Sequence, residues 1–403
     1  MRQNKSYRTR RSVQMGQLNM SMYLKKLKIR YFQTNRKGKS LILDEFCATS
    51  GLTRKHVINI FNGPPLARKD KPIPRKKYYD PKDLLTPLKV IWLAADQMCG
   101  KRLKAALPLW LPHYEKTYGL EAEIKQKLLK ISDRTIDRLL HFEKSKFPKK
   151  LCGTKPGSLL KKQIPIKTDQ WNESIPGFVE ADTVAHCGSS LLGDFVWSIT
   201  LTDIYSGWTE NASVWNKGSH GVLKQLEIIE KNLPFELLGF DSDNGSEFLN
   251  HHLIRYFQDR KKPIQFTRSR PYHKGDNAHV EQKNWTHVRQ LFGYYRFQNP
   301  DLVILMNDLY HNELSLLHNY FYPAMKLQDK IRIQSKIKKH YDKPQTPYQR
   351  LMASDHVNAL QKEKMRQTFE SLNPFELQRI IQQKLKNIFK NIDLHLRGRR
   401  TGT

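Results

Sequence analysis

Cysteine is scarce in this chain of 403 residues: four, at Cys47, Cys99, Cys152 and Cys187, far apart and without a CxxC pair. That spacing excludes a disulfide scaffold and a cysteine-rich zinc site, and leaves reduced thiols in an intracellular protein as the expectation. Long apolar runs are missing too, so no membrane-spanning helix is expected. The opening MRQNKSYRTRRSVQ is basic but no apolar stretch follows it. This argues against a secretory signal and for the cytoplasm, or the nucleoid if the partner is DNA. Acidic residues are the third deficit: 38 Asp and Glu stand against 70 Lys and Arg, a formal net charge of +32. Such an excess favours a polyanion, because neutralising phosphates releases condensed counterions. A membrane surface fits less well, since the basic residues are spread along the chain rather than gathered on one amphipathic helix.

A chain of this length divides into about two to four domains. The first expected module spans 1–70. Ser40 to Cys47 reads as a capped helix offering Leu41, Ile42 and Phe46 to a core. Ser50-Gly51-Leu52 then turns, and Thr53 caps a second helix, RKHVINIFNG. Helix, glycine turn, helix is the helix-turn-helix pattern, whose second helix enters the major groove. Arg54, Lys55 and Asn59 are the side chains it would present to DNA. Pro64 to Pro87 is Pro- and Lys-rich and reads as an extended basic connector. A second helical module, 71–150, starts near Leu88 and ends with EIKQKLLK and, after Ser132, DRTIDRLLHF. Arg134, Thr135 and Arg138 would face DNA opposite Ile136, Leu139 and Leu140; the plainer alternative is a packing helix with solvated arginines. Residues 151–172 read as a basic linker.

From Pro176 the pattern changes to strand-like runs. GFVEADTVAH and DFVWSITLTDIYSGWTENASVW give three strands of an antiparallel meander. A helix capped by Ser219 follows, with Val222, Leu223, Leu226 and Ile229 on one stripe. Then come the strand FELLGFDSD, the Asn244-Gly245 turn, a helix, the short strand PIQFTRS and a helix from Ala278 capped by Asn277. Three strands, helix, strand, helix, strand, helix is the order of an RNase H-like α/β domain, expected over 173–300. Three carboxylates stand out within it: Asp182, Asp243 and Glu281. Phosphoryl transfer calls for divalent ions held by hard oxygen ligands, and a few Asp and Glu suffice for Mg²⁺. Asp182 lies in an apolar run, where an unpaired charge is costly. Glu281 shares the stripe Trp285, Val288, Phe292 and so wants a cation; a Lys or Arg partner would serve as well as a metal. Asp241 competes with Asp243, being two residues away on the same strand face, but Asp243 is at the strand's end beside the turn. Asp203 and Glu247 are lesser rivals.

VEADTVAH, SDNGSEF and HKGDNAHVEQKN together resemble the integrase core of the DDE transposases and retroviral integrases, particularly bacterial insertion-sequence transposases. The resemblance covers Pro176–Phe297; the N-terminal third is similar only in arrangement, and the retroviral His-His-Cys-Cys zinc module has no counterpart. The spacing from Asp243 to Glu281 is slightly longer than the retroviral habit. The resemblance implies Asp182, Asp243 and Glu281 as a catalytic triad binding two Mg²⁺ or Mn²⁺ ions. It also implies hydrolysis at the ends of a mobile element, freeing a 3′-hydroxyl that attacks target DNA. His273, Lys274, Lys283 and Arg289 are expected to meet phosphates, with transposon ends and target DNA as partners and a homo-oligomer as the active complex.

Residues 301–403 read as a basic, mostly helical region. Arg332, Lys336, Lys338 and Lys339 interleave with Ile331, Ile333 and Ile337, as either a small strand along DNA or a basic surface. The final helix offers Ile380, Ile381, Leu385 and Ile388 to a partner helix or to the chain itself, and LRGRRTGT reads as a disordered tail. The expected architecture is therefore an RNase H-like core, preceded by all-α helix-turn-helix modules and followed by that C-terminal region. The rival functions are a transposon-derived DNA binder without strand transfer and a metal-dependent nuclease without a joining step.

Overall fold

The computed structural model describes residues 17–63, 78–147, 174–242, 251–268, 278–333 and 336–400. The chain forms two compact units, Met1–Lys76 and Lys77–Thr403.

Among its described residues the first unit holds α1 (Gln17–Gln33), α2 (Arg36–Ser50) and α3 (Arg54–Asn62). Asn35 starts α2 by accepting the Gly38 amide, and Gly51, at φ 72°, ends it with its own amide on Cys47 O. That left-handed cap is open to glycine without steric cost. The core is Leu27, Tyr31, Ile42, Leu43, Phe46, Val57 and Phe61. Leu41, expected inside, is 70% exposed. The helix starts four residues earlier than Ser40, and with successive residues about 100° apart its buried stripe takes Leu43 instead.

The second unit opens with α4 (Pro81–Ala94), α5 (Gly100–Tyr118), α6 (Ala122–Lys130), α7 (Asp133–Leu139) and α8 (His141–Ser145). The connector expected as far as Pro87 therefore stops sooner. Asp80 caps the Lys82 amide and Pro81 takes the first helical position, where its missing N–H costs nothing. Next come β1 (Phe178–Ala185), β2 (Val196–Asp203), β3 (Thr209–Trp215), α9 (Ser219–Asn232), β4 (Gly239–Ser242), α10 (His251–Gln258) and β5 (Gln265–Arg268). Gly218, not Ser219, occupies the N-cap of α9, without a side-chain bond. α11 (Ala278–Lys283) runs through a π-helical turn, Asn284–Arg289, into α12 (Gln290–Phe292). α13 (Leu302–Asp308) continues likewise through Leu309–Leu314 into α14 (Ser315–Phe321). A hairpin, β6 (Leu327–Ile333) and β7 (Lys336–Tyr341), precedes α15 (Pro347–Ala353), α16 (Ala359–Ser371) and α17 (Pro374–Arg400). The backbone of α17 carries on through the LRGRR expected as tail.

The five-stranded sheet has the order β3-β2-β1-β4-β5. β2 is antiparallel to β1 and β3, while β4 is parallel to β1 and β5 to β4. This mixed sheet has helices packed on it, and its elements follow one another in the order expected from the sequence. Period-2 alternation gives it two unlike faces. One is apolar: Val179, Ala181, Ile199, Leu201, Ala212, Val214 and Phe240 pack on α9 and α10 through Val222, Leu226, Ile229, Leu253 and Phe257. The other carries Glu180, Ser198, Thr200, Thr202, Thr209, Asn211, Ser213 and Asp241, all buried.

A buried polar face needs polar cover, and the helices supply it. Tyr310 OH meets Ser198 Oγ at 2.7 Å, and Asn307 and Asn319 each bond backbone of β3. The Asn319 amide takes both backbone groups of Thr209, at 2.9 and 3.0 Å, and so closes an edge strand that would otherwise be an open template. The helices α4–α7, α13, α14 and α17 share one apolar core that includes Trp92, Trp110, Phe292, Phe321, Ile381, Leu385 and Ile388. The last helix thus packs within the chain. Among the described residues no helix is long and apolar enough to cross a membrane.

Candidate active site

The site is built where the polar sheet face meets α11. Glu180 and Asp182 project from the same face of β1, two residues apart. Glu180 is 1% exposed and accepts the Val280 amide of α11 at 3.1 Å. Asp182 is half-buried; its Oδ1 accepts the Thr183 amide at 2.7 Å and its Oδ2 the side-chain amide of Asn284 at 2.6 Å. Glu281 lies in α11 between those two attachments, one residue after Val280 and three before Asn284. Its side chain lies outside the described residues, as do Asp243, Glu247, His273 and Lys274, the cap expected at Asn277 and the turn expected at Asn244-Gly245. Ser242, the chain neighbour of Asp243, ends β4 in register with Ala181, the neighbour of Asp182.

Asp241 is paired with Glu180 across the sheet, 2% exposed, and accepts Thr267 Oγ1 at 2.6 Å. Asp203 is held by the Gly177 and Ser206 amides at 2.9 and 2.7 Å and by Ser206 Oγ at 2.5 Å. Burial pushes its carboxyl up to about 6. Both rivals are thus engaged within the sheet and its turns.

Two premises drawn from the pattern need correction. Of the apolar residues around Asp182 in sequence, Ala181 and Val179 point to the opposite face, while Val184 shares its face with Glu180 and Thr200, so the run is apolar on one side and mixed on the other. The stripe assigned to Glu281 is also broken. The π turn inserts a residue, and the buried positions run Val280, Asn284, His287, Val288 and Phe292, with Trp285 only half-buried.

Asn284 escaped the sequence reading, although its position three residues after Glu281 was a usable signal for a shared helix face. So did the polar row beside it. Thr200, paired with Asp182 in the sheet, receives Asn211 Nδ2 at 2.9 Å. Asn211 Oδ1 meets His287 Nδ1 at 3.1 Å, and His287 Nε2 meets His318 Nδ1 at 3.0 Å. Burial holds His287 well below its ordinary range and takes His318 down to about 3, so both rings are neutral at pH 7. Each then donates once: His318 to His287, and His287 to Asn211.

Lys283, expected at phosphates, donates to Gly207 O at 3.2 Å, and burial, helped by Arg102 and Arg350, takes its ammonium down to about 7. Arg289 donates to Gly293 O at 3.3 Å and lies 4.7 Å from the Tyr294 ring centre. Of the helix-turn-helix candidates, Lys55 and Asn59 are exposed, while Arg54 is exposed but bonded to Asp44 and to Ser40 Oγ at 2.7 Å. Arg134 and Arg138 are exposed; Thr135 is half-buried, its hydroxyl 2.9 Å from that of Ser132. Arg332, Lys338 and Lys339 are exposed on the hairpin, and the Lys336 side chain lies outside the described residues.

Among the described residues no three His, Cys, Asp or Glu side chains are grouped to hold a metal. Asp182 nonetheless fits one by its chemistry, a carboxylate being a hard oxygen donor of the kind such an ion takes.

No family model matches the chain. It is 37% identical over 331 residues to the uncharacterized protein y4rM of Sinorhizobium fredii (strain NBRC 101917 / NGR234), covering 80% of this chain and 91% of that protein. Among solved structures, the BIV integrase catalytic core is 19% identical with a TM-score of 0.22, covering 29% of this chain and 70% of that one. The HTLV-2 integrase catalytic core in complex with magnesium is 16% identical with a TM-score of 0.27, covering 37% and 91%. Scores this low carry no weight for function.

Proposed function

We propose that this chain, which belongs to the same family as the y4rM protein, is a DDE-type transposase or integrase that cleaves DNA 3′ ends and transfers them to target DNA. The observation that carries the reading is the 2.6 Å hydrogen bond from Asn284 to Asp182. It ties the carboxylate of β1 to the helix of Glu281 less than one turn beyond that residue. The parallel pairing of β4 with β1, ending at Ser242, supports Asp243 as the third member. Asp182, Asp243 and Glu281 would hold two Mg²⁺ or Mn²⁺ ions. Bound there, such ions polarise the scissile phosphate and activate the attacking oxygen.

The chain's own residues have separate tasks in this scheme. Asn284 and the Thr183 amide orient the Asp182 carboxylate, and Glu180 anchors the start of α11 through the Val280 amide. In-line displacement at phosphorus asks mainly for positioning and charge neutralisation, which such fixed groups provide. The basic excess, together with Arg54, Lys55 and Asn59 on α3 and Arg134 and Arg138 on α7, would bind the element's ends. The active complex would be a homo-oligomer on DNA in the cytoplasm, at the nucleoid.

The test is Mg²⁺-dependent 3′-end nicking of the inverted repeats flanking the gene. Asp182→Asn, Asp243→Asn and Glu281→Gln are each expected to abolish it while leaving DNA binding in EDTA intact. Wild-type cleavage by all three variants would refute the site.

A further inference from the structure

The hairpin β6–β7 stands on a built root yet has an uncovered arm. At the root, Lys326 N donates to Asp342 Oδ1 at 2.6 Å and Asp342 N donates to Lys326 O at 3.0 Å. Arg350 pairs with Asp342 Oδ2 at 2.6 Å and donates to Ala324 O at 3.0 Å. Ala324 and Gln345 exchange two backbone bonds, of 2.8 and 3.1 Å. Beyond this root the strands pair in the register Ile331 with Lys338 and Lys330 with Lys339. A two-stranded ribbon is marginal by itself in water, yet this one leaves apolar side chains bare, with Ile331 46% and Tyr341 48% exposed. Its sequence, LQDKIRIQSKIKKHY, sets Lys330, Arg332, Lys336, Lys338 and Lys339 against the single acid Asp329.

We propose that this hairpin is a DNA arm that lies in the major groove of a duplex. The major groove of B-DNA, about 12 Å wide, admits a two-stranded ribbon, whereas the deep, narrow major groove of duplex RNA does not. Cations along the ribbon match the phosphate walls, and exposed Ile331 suits the methyl-bearing floor. The arm's root also bears on the candidate site. Lys326 Nζ donates to Tyr205 O at 2.7 Å, and Lys283 of α11 donates to Gly207 O at 3.2 Å. Root and site helix are thus fastened to the same β2–β3 turn. The inference rests on the strand-transfer reading for the choice of DNA, and deepens it by naming how the duplex is gripped.

The test uses the full chain in EDTA with a random-sequence DNA duplex a few helical turns long, across a salt series. Lys338→Ala/Lys339→Ala is expected to flatten the slope of log K against log salt by about 2, at about 0.9 per lost phosphate contact. Affinity should fall at least about tenfold at low salt, with an unchanged unfolding midpoint because both lysines are exposed. Methylation of guanine N7 should interfere with wild-type binding, and a minor-groove ligand should not compete. An unchanged slope and affinity, absence of N7 interference, or equal binding of an RNA duplex overturns the arm. So does a variant that alters the oligomer while binding DNA as before, which would make the ribbon a contact between copies. Because no metal is present, this outcome is separable from that of the nicking assay: either reading can fail while the other stands.

Discussion

Replacing Asn284 by alanine isolates the contact on which the functional reading turns. The side-chain amide donates to Asp182 Oδ2 at 2.6 Å, while its own Oδ1 is buried without a hydrogen-bond partner. Truncation therefore removes one bond to a charged acceptor and relieves one unpaired acceptor. A hydrogen bond to a charged group contributes about 1.5–3 kcal/mol, which is about ten- to a hundredfold in an equilibrium constant. Loss of a partner that orients a metal-ligating side chain has the same range in metal affinity. Asp182 keeps the Thr183 amide, but its Oδ2 loses the bond from Asn284 that orients it. In Mg²⁺ titrations of 3′-end nicking, Asn284→Ala should need about ten- to a hundredfold more metal for half-maximal rate and recover most of that rate at saturation. DNA affinity in EDTA should not move. Asn284→Asp sets a second carboxylate beside the first, and the like charges should reduce activity even at high metal. Wild-type Mg²⁺ dependence in Asn284→Ala would refute the reasoning, because Asp182 would then need no holding.

Glu210→Gln tests the buried edge of the sheet. Burial pushes the Glu210 carboxyl up to about 7, and its Oε1 accepts both Trp208 Nε1 and Ser315 Oγ, bonds a glutamine oxygen retains. A raised carboxyl means the fold holds a proton that the unfolded chain releases, so stability is lost as pH rises from about 4.5 to 7. The variant should be more stable at pH 8 by about 3 kcal/mol, read by chemical denaturation, and indistinguishable near pH 4. His186→Phe works with the opposite sign: burial takes this ring down to about 3, so wild-type stability falls as pH drops from about 6.5. The phenylalanine variant should flatten that acid limb, and an unchanged limb would mean the ring is protonated in place. Asn319→Leu strips both backbone groups of Thr209 of their partner and should cost about 2–5 kcal/mol in the same denaturation assay.

Strand alternation and turn residues made the central sheet readable: β2 ends at Asp203, and Asn216 and Asp243 follow β3 and β4 in the sequence. The order β1-β2-β3-α9-β4-α10-β5-α11 followed from that alternation. Boundaries failed where a cap lay outside the apolar stripe. Asn35 rather than Ser40 starts α2, and Asp80-Pro81 starts α4 within a stretch whose prolines and lysines read as a connector. The π turn at Asn284–Arg289 was not legible, since no local composition marks an i→i+5 bond. Nor was the pairing of Asn307 and Asn319 with the edge of β3, a contact about 100 residues distant in sequence that only the tertiary fold creates.

The choice of Asp182 rested on an apolar strand making an unpaired charge costly, and that premise does not hold. What distinguishes the position is the polar sheet face it shares with Glu180, Thr200 and Asn211. A sheet that buries such a face pays for it only if every group finds a partner, and here Glu180, Asn211 and Ser198 meet α11, the π turn and the second π segment. Asp182 differs from them in exposure: it is half-buried while Glu180 and Asp241 are at 1 and 2%. The two deeper carboxylates are committed to fastening α11 and β5, by the Val280 amide and Thr267 Oγ1. Among the described carboxylates of this face Asp182 is thus the most accessible, and it is bonded to the helical segment whose start Glu180 fastens. Glu180→Ala should therefore impair cleavage by loosening α11 rather than by removing a ligand. Its loss should be insensitive to added Mg²⁺, in contrast to the metal-rescued loss of Asn284→Ala, and rescue by metal would instead make Glu180 a ligand.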